Sequence, residues 1–83
     1  MGILNEAHAA EIIVFVSRNP GCSKTDLYRG VARGVRMPDK LLMLRDAGIL
    51  DIVDAGRSTA LMLTPRGQAV ARCLREIESI LSS

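Results

Sequence analysis

The stretch from Leu44 to Gly67, LRDAGILDIVDAGRSTALMLTPRG, constrains this chain more than any other, because it carries a helix end, a hairpin and a new helix start without a break. Gly48 follows Leu44 and Ala47 at C-cap spacing, where the backbone needs a positive φ that glycine adopts at least cost. The helix before it therefore stops there. Ile49, Leu50, Ile52 and Val53 then supply a short, β-branched-rich strand, Asp54 to Ser58 a polar loop containing glycine, and Thr59 to Leu63 a second strand. Thr64-Pro65 follows as a helix start: the threonine hydroxyl can cap free amides, and proline suits the first helical position, where no N–H is needed.

With 83 residues, 48% of them hydrophobic, the chain is one small domain whose core is limited, since domains near this size bury only about 60% of the surface exposed when unfolded. Dimerisation would supplement such a core. A net charge of +2, from 11 Lys and Arg against 9 Asp and Glu, permits nucleic-acid binding and leaves charge placement to decide. One Tyr, one Phe and no Trp argue against a surface that stacks single-stranded bases. Cys22 and Cys73 form no CxxC pair, which excludes a disulfide framework or zinc finger and fits a reducing compartment. The apolar run from Ile12 to Val16 is too short to span a membrane, and no basic-then-apolar leader opens the chain, so a cytoplasmic protein is expected.

The remaining elements follow from periodicity. Residues from about Asn5 to Arg18 suit a helix with a wide apolar face, Ala7, Ala10, Ile13, Val14 and Ser17 on one side and Ala9, Ile12 and Val16 adjoining; Asn19-Pro20-Gly21 ends it. Ser23 stands where an N-cap is wanted, with Asp26 completing an imperfect capping box, and Leu27 and Val31 give the second helix its buried stripe. A third helix runs from about Pro38 to Ala47 with Leu41 and Leu44 inward. The last, about Pro65 to Leu81, places Val70, Cys73, Leu74, Ile77, Ile80 and Leu81 on one stripe, resembling a short coiled-coil seam. Its other face carries Arg72, Arg75, Glu76 and Glu78 as a solvated, helix-spaced charge pattern. The order is helix, helix, helix, strand, strand, helix: mainly α with a small β-hairpin, in a single domain over 1–83.

The segments NPGCSKTDLYRGV, MPDKLLMLRDAGIL and ALMLTPRG together resemble the winged helix-turn-helix transcription regulators of bacteria and archaea, over nearly the whole chain. Within that group the chain is most similar to small archaeal proteins with an extra C-terminal helix through which they dimerise. The resemblance implies a helix-turn-helix at about 23–47, a wing at about 49–63 and a C-terminal helix at about 65–81. It further implies that the third helix enters the major groove of double-stranded DNA while the wing lies on the backbone beside it.

Carried over by position, the DNA-contact candidates are Lys24 and Thr25 at the start of the second helix, Arg33 on or just after that helix, Arg36 and Lys40 around the start of the third, and Arg57 and Ser58 at the wing tip. Arg29 stands on the second helix with its direction undetermined. The homodimer candidates are the six residues of the C-terminal stripe. Asp39 repels phosphate unless it accepts from a cytosine amine or pairs with a neighbouring arginine, and Leu42 and Met43 stand where a groove-reading face is polar or basic. Leu42 and Met43 therefore motivate a second expectation, that the winged helix is a protein-interaction module with an apolar patch there.

Other residues point to no further chemistry. His8 is the only histidine and has no partner set at ligand spacing, so no metal is expected. Cys22 precedes the second helix, whose N-terminus, with Lys24, could lower its thiol pKa and make it a redox sensor; the competing reading is a small buried hydrophobe. Cys73 reads as packing, as do Met37, Met43 and Met62. There is no nucleophile-and-base pair, no paired acid and base and no phosphate-cradling glycine loop, so neither enzyme nor cofactor is expected.

Overall fold

A computed structural model describes residues 8–31 and 37–82. The elements are α1 (Ala9–Arg18), α2 (Lys24–Gly30), α3 (Met37–Asp46), β1 (Leu50–Ala55), β2 (Ser58–Leu63) and α4 (Pro65–Ser82). The expected order is observed. The predicted start of the first helix at Asn5 falls outside the described residues; within them, α1 begins after His8, which has φ 66°.

Each boundary has a local cause. In α2 the capping box is complete: Ser23 Oγ accepts from Asp26 N–H at 3.1 Å, and the Asp26 carboxylate accepts from Ser23 N–H at 3.2 Å. Aspartate therefore serves the role usually given to glutamate. At the end of α3, Gly48 takes φ 77°, its N–H donates to Arg45 C=O at 3.0 Å, and Ile49 N–H donates to Leu44 C=O at 3.0 Å. These two bonds are a Schellman motif, and the buried pair Leu44 and Ile49 is its hydrophobic contact.

The hairpin is tighter than the sequence led us to expect. Instead of a loop over Asp54 to Ser58, antiparallel pairing continues to Ala55 opposite Ser58, so only Gly56 and Arg57 turn the chain. Gly56 has φ 71° while Arg57 does not enter the positive region, the pattern of a type II′ turn, whose twist matches its strands. The register pairs Leu50 with Leu63 and Ile52 with Leu61 on the core face. On the outer face Asp51 opposes Met62 and Val53 opposes Ala60.

The segment entering α2 adds a third, one-residue rung to the hairpin. Cys22 bridges Leu61, with Leu61 N–H donating to Cys22 C=O at 2.8 Å and Gly21 N–H to Leu61 C=O at 2.9 Å. This rung pins the start of α2 to the middle of β2. The core gathers Ile12, Ile13 and Val16 of α1, Leu27 of α2, Leu41 and Leu44 of α3, Leu50 and Leu61 of the hairpin and Ala71 of α4. Every element contributes, as a chain this small requires.

Thr64 joins the hairpin to α4. Its hydroxyl accepts from Gly67 N–H at 3.0 Å, capping the helix, and bonds back to the carbonyls of Gly48 and Ile49. Gly67 lies so close to Ile49 that a Cβ there would stand 2.1 Å from the Ile49 carbonyl oxygen. Arg66 adds a 3.4 Å hydrogen bond to Ala47 C=O, setting a cation at the C-terminal end of α3. The end of α3, the base of the hairpin and the start of α4 are thus tied at one point.

Candidate nucleic-acid interface

The charge of the chain is unevenly distributed. Five basic and two acidic residues fall between positions 24 and 40, which leaves six basic against seven acidic for all the rest. The positive excess therefore sits on α2, on the segment that follows it and on the start of α3. Arg33 and Arg36, two of the DNA-contact candidates, lie outside the described residues.

Among the described candidates, Lys24 and Lys40 are half-buried, while Thr25, Arg57 and Ser58 are exposed. Arg57 occupies the second position of the two-residue turn, so it stands at the extreme tip of the hairpin. The rung through Cys22 and Leu61 sets the start of α2 beside the hairpin, and Ser58 lies three residues from Leu61, about 10 Å along the strand. Neither Lys24, Arg29, Lys40 nor Arg57 forms an ion pair among the described residues. The arginines that do are Arg18, paired with Glu78, and Arg45, paired with Asp46, each at 3.3 Å. Ionic contact is thus still open to the candidate cations.

The start of α2 differs from a free anion site. Asp26 already places a carboxylate there, bonded to Ser23 N–H, so a phosphate approaching Lys24 and Thr25 meets a negative charge. On α3 the outward residues are Pro38, Asp39, Leu42, Arg45 and Asp46, with Lys40 and Met43 at the margins. Leu42 is 44% exposed, and the only cation fully outward, Arg45, is held by its neighbour Asp46. The outer face of this helix is therefore mixed rather than basic.

The structure divides the C-terminal stripe in two. Val70 and Leu74 are half-buried against the core beside the buried Ala71, packed towards α1, whereas Cys73, Ile77, Ile80 and Leu81 are exposed. The Arg18–Glu78 ion pair links the C-terminal part of α4 to the end of α1. Leu81 keeps 80% and Ile77 52% of its surface in water, so the apolar remainder is concentrated in the last two turns.

Cys22 is the residue whose reading changes most. It is buried, and burial together with the Asp26 charge pushes its thiol pKa up, which opposes the thiolate a redox sensor needs. Sequence spacing could not show that Asp26, rather than Lys24, would dominate its surroundings. Among the described residues no cluster of His, Cys, Asp or Glu could hold a metal ion, and no helix is long and apolar enough to cross a membrane.

No family model and no curated protein matches the sequence. Solved structures do. A protein of Archaeoglobus fulgidus superposes with a TM-score of 0.86 at 17% identity, over 99% of this chain and 96% of its own. Streptococcus pneumoniae FabT, solved in complex with DNA, superposes with a TM-score of 0.80 at 17% identity over 92% of this chain. A possible HxlR family transcriptional factor from Thermoplasma volcanium gives 0.79 at 21% identity, over 98% of this chain and 76% of its own. The fold is a winged helix. In its terms α2 and α3 are the helix-turn-helix, β1 and β2 the wing, and α4 the helix that follows the wing. The chain spans 56% of FabT, so the winged-helix unit is what the two share.

Proposed function

We propose that this winged helix binds double-stranded DNA as a homodimer and acts as a transcriptional regulator. The observation that carries the reading is the set of cations on the helix-turn-helix and wing, Lys24, Arg29, Lys40 and Arg57, that form no ion pair among the described residues, in a fold whose neighbour FabT was solved on DNA. In this reading Lys40 on α3 and Arg36, which precedes α3 in sequence, approach the major groove, Arg33 and Lys24 with Thr25 hold phosphates, and Arg57 with Ser58 clamps the backbone beside the groove. Phosphate contact supplies most of the affinity, because Asp39, Leu42 and the paired Arg45 leave the exposed part of α3 few donors for base edges.

The exposed apolar turns of α4 support the homodimer. Cys73, Ile77, Ile80 and Leu81 meet their equivalents on a second copy, while Val70 and Leu74 at the margin continue into each core. The test is competition: a labelled duplex bound by the protein should be displaced by unlabelled duplex much more readily than by single strands of equal length. Lys40→Ala and Arg57→Ala should each weaken duplex binding. Equal competition by single strands, or variants that bind like the parent, contradicts the reading.

One observation favours a second reading, a protein-interaction module: Leu42 is 44% exposed on the face where a groove reader carries polar groups. Leu42→Ser with Met43→Ser distinguishes them. Loss of partner binding or self-association with duplex affinity intact supports the module.

A further inference from the structure

A cleft of about 300 Å³ opens on the side of the molecule bounded by α1, the second wing strand and α4. Its walls include Val16, Met62, Leu63 and Ala71, and Arg72 and Arg75 also line it. Val16, Leu63 and Ala71 are buried and form an apolar floor, whereas Met62 remains 40% exposed beside them. Among the described residues, no acidic side chain lines the cleft. Among the described residues neither arginine forms an ion pair, and Glu78, three residues beyond Arg75, is already held by Arg18 of α1 at 3.3 Å. Three residues apart on one helix, the two guanidinium groups are neighbours of like charge, and no carboxylate among the described residues lining the cleft offsets them.

We infer that this cleft binds a small amphipathic carboxylate, its apolar body against Val16, Met62 and Ala71 and its carboxylate on Arg72 and Arg75. The chemistry follows from both halves of the site. The planar guanidinium fork suits a carboxylate through paired hydrogen bonds, and a bound anion relieves the repulsion between the arginines. The apolar wall excludes a fully hydrated ion such as chloride or sulfate as the fitting ligand, because covering Met62 gains free energy only from an apolar body. At this volume the site sits at the small end of ligand pockets and admits a compact ring or short chain.

The inference is independent of duplex binding and is tested on the full chain alone. Cyclohexanecarboxylate is titrated into isotope-labelled protein and followed by NMR at the methyl groups of Val16, Met62, Leu63 and Ala71, with cyclohexanol and cyclohexylamine as controls sharing its ring. Saturable shifts at the methyls of those four residues are expected for the carboxylate alone. The double variant Arg72→Gln with Arg75→Gln should weaken it about tenfold or more, as loss of charged hydrogen bonds requires, and the double lysine variant should recover part of that loss. Both side chains are exposed, so the variants keep the fold, which the rest of the spectrum reports. Equal shifts with cyclohexanol, or unchanged affinity in the glutamine variant, overturn the inference.

Discussion

Gly67→Ala separates what helix propensity predicts from what the structure predicts. At an ordinary helical position alanine is favoured over glycine by about 1 kcal/mol. Here the new Cβ would lie 2.1 Å from the Ile49 carbonyl oxygen, 3.1 Å from its carbon and 3.2 Å from Ile49 Cγ2. A carbon–oxygen contact needs about 3.3 Å, so α4 must retreat from the base of the wing by about 1 Å. The carbonyl cannot simply turn away. It accepts from Thr64 N–H at 3.0 Å and from the Thr64 hydroxyl at 3.2 Å, and the same hydroxyl caps α4. Overpacking costs about 1–3 kcal/mol, and each strained hydrogen bond about 1 kcal/mol more. With both Thr64 bonds strained and the propensity gain subtracted, the net loss is about 2–4 kcal/mol, equivalent to a Tm lower by about 8–32 °C for a domain this size. With no tryptophan in the chain, far-UV circular dichroism during urea and thermal unfolding is the natural assay, with Gln68→Ala on the exposed face of α4 as control. The control should stay within about 0.5 kcal/mol of the parent. A Gly67→Ala protein as stable as the parent, or more so, refutes the close approach of α4 to Ile49.

Further outcomes follow from the same structure. Asp26→Asn should destabilise the chain by about 1 kcal/mol through its capping box yet tighten duplex binding at low salt, since it removes the negative charge at the start of α2; weaker binding would contradict the phosphate contact there. Cys22 should be protected from a thiol reagent in the folded protein and lose that protection in urea; a Cys22 that reacts as fast folded as unfolded would contradict its burial. Because the folded-state pKa of Cys22 is raised, its contribution to stability is complete below the ordinary thiol range and is lost as pH rises through the folded value; Cys22→Ala should flatten that alkaline fall in unfolding free energy. Ile77→Ser with Leu81→Ser should yield a folded monomer by sedimentation, whereas Val70→Ser with Leu74→Ser should lower Tm as well; an unchanged dimer in the first variant removes α4 from the interface.

The fold was legible because its punctuation is local. Gly48, Gly56 and Thr64-Pro65 each dictate a turn or a cap from their own chemistry, and the apolar spacing between them fills in the helices. What the sequence hid depends on contacts between distant residues. The rung between Cys22 and Leu61 joins positions 39 apart, and no pattern near either residue announces it. The stripe on α4 is continuous as a periodicity, and only the position of α1 shows that Val70 and Leu74 belong to the core while Ile77 and Leu81 do not. The cleft beside Arg72 and Arg75 was hidden for the same reason: the charged face of α4 reads as solvated until β2 is placed next to it. Charge placement was legible only as residue type, since the pairing of Arg45 with Asp46 depends on how each side chain lies on the surface.

The salt dependence of duplex binding is the most direct test of DNA recognition by this winged helix. The logarithm of the binding constant for a fluorescent duplex should fall linearly with the logarithm of salt concentration, since each neutralised phosphate releases counterions. Arg57→Ala should lower that slope by about two for a homodimer, one phosphate for each protomer. An absence of duplex binding at about 50 mM salt, or binding indifferent to salt and to Arg57, contradicts the proposed function.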